Sequence, residues 1–257
     1  MAISPDFRTY TGARVAQSGA VLDAGLRSYM LRVYNWMTSG LLLTGLVAFA
    51  IANTSLIQMF YAPVQTARGM VTAPTGLAYV AIFAPLAFVL VLSFGVNRLS
   101  TRTVQALYWA FCVAMGASLT NIFLQYTGTS IVRVFFITSA TFAAMSLYGY
   151  ATKSDLTKMG SFLMMGLFGI IIAGLVNMFI GSAGLQFAIS IIGVLVFVGL
   201  TAYDTQRIKS EYVQNAHGQG SDIAARSSVY DALRLLLNFI NLFMLLLQLT
   251  GNRSSNN

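Results

Sequence analysis

The chain contains six stretches of at least 18 residues without a Lys, Arg, Asp or Glu: 33–67, 69–97, 103–132, 134–152, 159–203 and 235–252. A hydrocarbon layer about 30 Å thick is crossed by about 20 helical residues rising 1.5 Å each. Each stretch therefore suffices for one crossing, and the fifth for two. Gly181-Ser182-Ala183-Gly184 sits in the middle of that fifth stretch, where glycines permit a tight reversal; it divides into 161–180 and 185–203. The other helix cores are expected at 36–59, 77–94, 104–123, 134–150 and 232–249. The fold class is thus an all-α integral membrane protein with seven transmembrane helices. Residues 1–32 form an N-terminal segment, 33–250 one membrane domain and 251–257 a short tail.

Loop charge orients the bundle. With the N-terminus cytoplasmic, twelve of the fifteen Lys and Arg residues fall on the cytoplasmic side, and Arg68, Arg133 and Arg253 on the other. This is the positive-inside pattern for seven spans. The first 32 residues carry Asp6 and Asp23 and lack the early apolar region of a cleaved leader, so the first span is read as retained.

Composition removes several function classes. Hydrophobic residues make up 57% and charged ones 9%, with a mean hydropathy of +0.73, which excludes a cytosolic enzyme. The net charge of +8 reads as basic loops against lipid head groups; the bilayer is the expected partner and nucleic acid is not. A single Cys112 and a single His217 allow neither an intramolecular disulfide nor a histidine metal cluster. No cofactor is expected.

Polar side chains within spans should turn toward other helices or water. In the last helix Asp231, Arg234, Asn238, Asn241 and Gln248 occupy about 100° of the circumference, and in the sixth Gln186, Ser190, Gly193, Thr201 and Asp204 lie within about 80°. Shorter seams are Ser118, Asn121 and Gln125 in the third helix and Gly166, Gly169, Ala173 and Asn177 in the fifth. Such seams can be no more than inter-helix packing. Asp204 goes further, because it is joined to the apolar end of a span with no intervening loop, which makes it a functional candidate. The orientation puts Asp204, Asn238 and Arg98 at similar depth near the cytoplasmic ends of helices six, seven and two. The alternative is an interfacial acid neutralised by Arg207 or Lys209 and hydrated from the cytoplasm; spacing alone leaves both open.

Leu200-Thr201-Ala202-Tyr203-Asp204-Thr205-Gln206, followed by Leu236-Leu237-Asn238-Phe239-Ile240-Asn241-Leu242-Phe243, resembles the transmembrane Bax inhibitor motif family. Gly149-Tyr150-Ala151-Thr152-Lys153-Ser154-Asp155-Leu156 and Gly116-Ala117-Ser118-Leu119 extend the likeness over most of the chain from about Pro85. The resemblance implies a calcium-permeable, pH-sensitive leak in a bacterial inner membrane, with a central last helix surrounded by six others. It also implies a pair of aspartates as proton sensor, one at Asp204, latched by an arginine matching Arg98. Asn238 stands where the second aspartate belongs. Two carboxylates sharing one site hold a proton between them, and a carboxylate beside an amide has no such partner, so weakened pH sensing is expected. The site residues read from sequence are therefore Asp204, Arg98 and Asn238 as the gate, Asp204 and Asn238 on the ion pathway, and Asn241, Arg234 and Asp231 lining the pore. Ca²⁺ or another cation is the permeant partner.

Enzymatic readings fail on missing partners. Tyr203-Asp204 supplies half of an intramembrane aspartyl protease, but no Gly-x-Gly-Asp turn provides the second acid. A serine protease would need His217 as base, in a polar loop away from any span. A retinal Schiff base needs a lysine in the last helix, and none follows Lys209. The rival is a non-transporting membrane protein that binds or regulates other membrane proteins or proteases.

Overall fold

The computed structural model describes the backbone of residues 7–66, 69–95, 98–215 and 220–254, with side chains throughout these except at 7–21, 66, 69, 71 and 221. His217 and Arg68 lie outside the described residues, as do the side chains of Arg8 and Arg14. Among the described residues seven helices are long and apolar enough to cross a membrane. The first, α1, runs over Phe7–Ala52. A single turn α2 (Ile57–Phe60) and a hairpin of β1 (Tyr61–Thr66) and β2 (Gly69–Pro74) lead to α3 (Gly76–Gly95). Then come α4 (Thr101–Leu119), the short α5 (Asn121–Gln125), α6 (Gly128–Ala151) and α7 (Thr157–Ile180). The chain ends with α8 (Ala183–Asn215) and α9 (Ser221–Thr250). One end of the bundle carries the α3–α4, α6–α7 and α8–α9 connections, here the basic end; the other carries the hairpin.

Three details differ from the sequence reading. The first crossing is Leu22–Ala52, shifted toward the N-terminus from 36–59. A charge-free window could not include Arg27 and Arg32, yet between them Tyr29 and Met30 are buried against protein. Because α1 is continuous from Phe7, no helix break marks residue 32. The third crossing bends at Thr120, whose hydroxyl bonds back to the Gly116 carbonyl at 3.2 Å, and α5 follows. Between the first two crossings lies an antiparallel hairpin, Tyr61 pairing with Pro74 and Thr66 with Gly69.

The last helix is the central one: 56% of its apolar window is buried, against 11% for α7. It packs along α1, α4, α6 and α8, whereas α3 rests on α4 and α7 on α8. The surround is therefore uneven, and a gap runs between α3 and α7. Lipid-exposed faces are apolar, with Phe94, Phe162 and Phe179 all more than 70% exposed, a surface that suits hydrocarbon and not water.

Lipid gives no hydrophobic drive between helices, so close approach matters. Gly149 of α6 lies directly on the Ala202 carbonyl of α8, and Gly160 of α7 on the Tyr203 ring; a Cβ at either would overlap its neighbour. These contacts fix the segment of α8 that ends in Asp204. Gln206 clamps the α6–α7 connection from the same helix, accepting from Leu156 N at 2.8 Å and donating to Ser154 O at 2.7 Å. Lys209 donates to the Tyr150 carbonyl at 2.8 Å, near the C-terminus of α6, where a cation complements the helix dipole.

Candidate functional site

Asp204 sits about six turns into α8, and Asn238 faces it from α9. Asn238 Nδ2 donates to Asp204 Oδ2 at 2.7 Å, and the two residues are only 9% and 7% exposed. Arg207 lies one turn farther along α8, its Nη2 3.6 Å from Asp204 Oδ1 and its Nε 3.3 Å from Glu211 Oε1. Both Arg207 nitrogens are buried without hydrogen-bond geometry to an acceptor. Among the described residues these are the two ion pairs. The arrangement combines both alternatives left open by spacing: Arg207 neutralises Asp204, yet the acid is buried rather than hydrated. Lys209 is engaged elsewhere, at Tyr150.

Arg98 is not the partner of Asp204 in this structure. It is exposed in the α3–α4 connection, which is tied to the start of α9: Arg226 Nη1 donates to the Leu99 carbonyl at 3.1 Å and Thr101 Oγ1 to the Asp222 carbonyl at 3.3 Å. The tether holds the connection to α9, while Arg207 reaches the acid from the same helix.

The gap between α3 and α7 is a groove of about 890 Å³ with α9 along its floor. Asp204, Arg207, Arg234, Asn238, Asn241 and Gln248 line it, so most of the polar face of α9 turns toward it, whereas of the α8 seam only Asp204 does and Gln186 and Ser190 bond to Gln248 of α9 instead. Pro85 of α3 contributes to the wall; lacking an N–H, it cannot donate to the Ala81 carbonyl. A second cavity of about 160 Å³, lined by Ser118, Asn121 and Gln125, continues toward the hairpin end and shares Met244 and Gln248 with the groove. The seam of the third crossing thus faces the last helix.

Asp231 does not line the groove. At about 100° per residue it falls at the edge of the α9 seam, on the side of α1, where Tyr29 donates to its Oδ2 at 2.6 Å. Both belong to a separate cleft of about 160 Å³ with Glu211, Tyr230 and Arg234. Arg234 is exposed and lines both spaces. The sequence reading missed Tyr29, which lies 202 residues from Asp231 and before its expected first span. It also missed the clamp made by Gln206, whose position two residues after Asp204 was the available signal.

At the hairpin end a neutral seam joins α7, α8 and α9. Asn177 Nδ2 donates to Gln186 Oε1 at 3.1 Å, Gln186 Nε2 to Gln248 Oε1 at 2.8 Å, and Ser190 Oγ to the same oxygen at 3.1 Å. Among the described residues no group of three or more His, Cys, Asp or Glu is placed to hold a metal. The groove can offer a cation one carboxylate, amide oxygens and backbone carbonyls, a weaker hard-cation environment than paired carboxylates.

Residues 26–255 match the family model described as inhibitor of apoptosis-promoting Bax1. The chain belongs to the Bax inhibitor family. The Rickettsia prowazekii protein RP147 is 47% identical over 232 residues, covering 90% of this chain and 92% of its own length. Inner membrane protein YbhL of Escherichia coli K12 is 44% identical over 231 residues, covering 90% and 94%. A Caulobacter vibrioides protein is 43% identical over 230 residues, 90% of each chain. Membership of the Bax inhibitor family, with seven apolar helices, makes this a multi-pass protein of a bacterial inner membrane.

Proposed function

We propose that this protein is a calcium-permeable cation leak, its basic end in the cytoplasm, gated where Asp204 meets Asn238 and Arg207. One observation carries the reading: the polar face of the central helix lines a groove from Asp204 to Gln248, and a second cavity prolongs it toward the hairpin end. In a bilayer such a row of amides and a carboxylate lowers the cost of an ion that the hydrocarbon would exclude. The counter-charge at the gate is Arg207 in place of Arg98. Asn238 gives Asp204 a hydrogen bond instead of a second acid, which supports a leak with little pH control. The reading assigns no catalytic group and no cofactor.

Calcium flux into proteoliposomes tests it. Asp204→Ala lowers flux about tenfold, or ~1.4 kcal/mol of barrier, well within the ~4 kcal/mol exerted by a unit charge at 4 Å near a protein surface. Arg207→Gln raises flux and Arg98→Ala leaves it unchanged. Asn238→Asp makes flux rise with pH, because deprotonating a shared-proton pair sets two negative charges against each other. Equal flux in all of these proteins rejects the gate. No flux in any of them, with a membrane protein or protease copurifying stoichiometrically, favours the regulator instead.

A further inference from the structure

The groove has a chemistry beyond its polar floor. Its long walls are apolar, Leu86 and Val89 on α3 and Leu167 and Ile171 on α7, and Leu86 and Ile171 remain 59% and 50% exposed. Since α3 and α7 do not pack together, the groove opens sideways to lipid. Toward the basic end the lining changes to Arg207 and Arg234. Buried Nε and Nη2 of Arg207 lack an acceptor, although Asp204 and Glu211 stand nearby at ion-pair distance. Arg234 is the one residue shared with the smaller cleft, which holds Glu211 and Asp231.

We infer that the groove binds one phospholipid with an ethanolamine-type head group. One acyl tail lies between α3 and α7. The phosphodiester accepts from Arg234, the exposed guanidinium of the two, since a guanidinium fork matches phosphate oxygens; Arg207, its Nε and Nη2 turned inward toward Glu211 and Asp204, stands behind it as a second positive charge. The primary ammonium turns into the cleft toward Glu211, Asp231 being already engaged by Tyr29. Charge favours this occupant: two guanidiniums face Asp204, Glu211 and Asp231, so a head group bearing both signs is matched, whereas a purely anionic one meets the acids. Length agrees as well. Arg234 and Gln248 are about 21 Å apart along α9, which accommodates a tail from one leaflet, about half of a ~30 Å core. The site stands whether or not the groove conducts.

Native mass spectrometry of the full chain in detergent, with phosphatidylethanolamine, phosphatidylcholine and phosphatidylglycerol of identical tails, tests this. One ethanolamine lipid per chain is retained about tenfold more tightly than the other two, the scale of one charge-assisted contact. Arg234→Gln and Glu211→Gln each abolish that preference. Ile171→Trp, which obstructs the tail, weakens all three lipids, and Arg133→Gln at the hairpin end changes nothing. A diazirine on the tail crosslinks to peptides of α3 and α7. Equal retention of the three lipids by the wild-type protein, stronger retention of the glycerol lipid, or crosslinks spread evenly over the outer faces of α1 and α6 would overturn the site.

Discussion

The two ends of the bundle solve the same problem differently. At the hairpin end, Asn177, Gln186, Ser190 and Gln248 are neutral groups that satisfy one another, tying α7, α8 and α9 into a seam with no formal charge. At the basic end Asp204, Arg207, Glu211, Asp231 and Arg234 crowd together, and buried nitrogens of Arg207 and the hydroxyl of Tyr230 have no acceptor. A satisfied amide ladder holds helices together. A charged cluster with donors to spare costs desolvation that packing alone does not repay, and both the proposed gate and the proposed lipid site use this end.

Mutation can sharpen or break this contrast. Tyr29→Phe should have the largest effect, since it strips a buried carboxylate of its hydrogen bond, which to a charged group is worth about 1.5–3 kcal/mol; equilibrium unfolding in mixed micelles measures it. Gln248→Leu removes the acceptor for both Gln186 and Ser190. Interhelical hydrogen bonds in membranes average about 0.6 kcal/mol with a maximum near 1.7, so this loss should be near 1 kcal/mol in the same assay. If the neutral end proved the costlier one, the contrast would collapse.

The smallest effect is expected at the α6–α7 connection. The Thr157 hydroxyl, and after it the Thr157 N–H, hold the exposed Asp155 carboxyl below the usual carboxylate range. A lowered value in the folded state means the cap is at full strength above about pH 4 and is lost as pH falls through the lowered value. Hydrogen exchange in the first turn of α7 should quicken below that pH in the wild type and show no such step in Asp155→Asn.

The seven crossings were legible because length and charge exclusion are local properties. Facing directions were legible where polar residues repeat on one face: α9 turns Arg234, Asn238, Asn241 and Gln248 to the groove, while the α8 seam meets α9 through Gln186 and Ser190 and reaches the groove only at Asp204. Pairings between distant segments were not. Nothing in the pattern around Tyr29 shows that its hydroxyl reaches Asp231, because register between helices is set by packing and not by spacing within either. The expectation for Arg98 came from resemblance; the structure instead ties its connection to Arg226 and puts Arg207 beside the acid. The hairpin was overlooked because its strands, Tyr61–Thr66 and Gly69–Pro74, fall in the connection between the crossings expected at 36–59 and 77–94, and a two-stranded ribbon leaves no mark in a pattern read for charge-free length.

Gln206 has a mechanical consequence. By gripping Ser154 and Leu156 at once, it couples α6, α7 and α8 through their basic ends, and Gly149 and Gly160 seat against the same stretch of α8. One wall of the groove is thereby part of a braced frame, while the other, α3, leans chiefly on α4 and carries a proline at mid-length. On that side the tie to α9 through Leu99 and Thr101 at the basic end is the one brace described, so if the slot widens, α3 is the door and α7 the jamb.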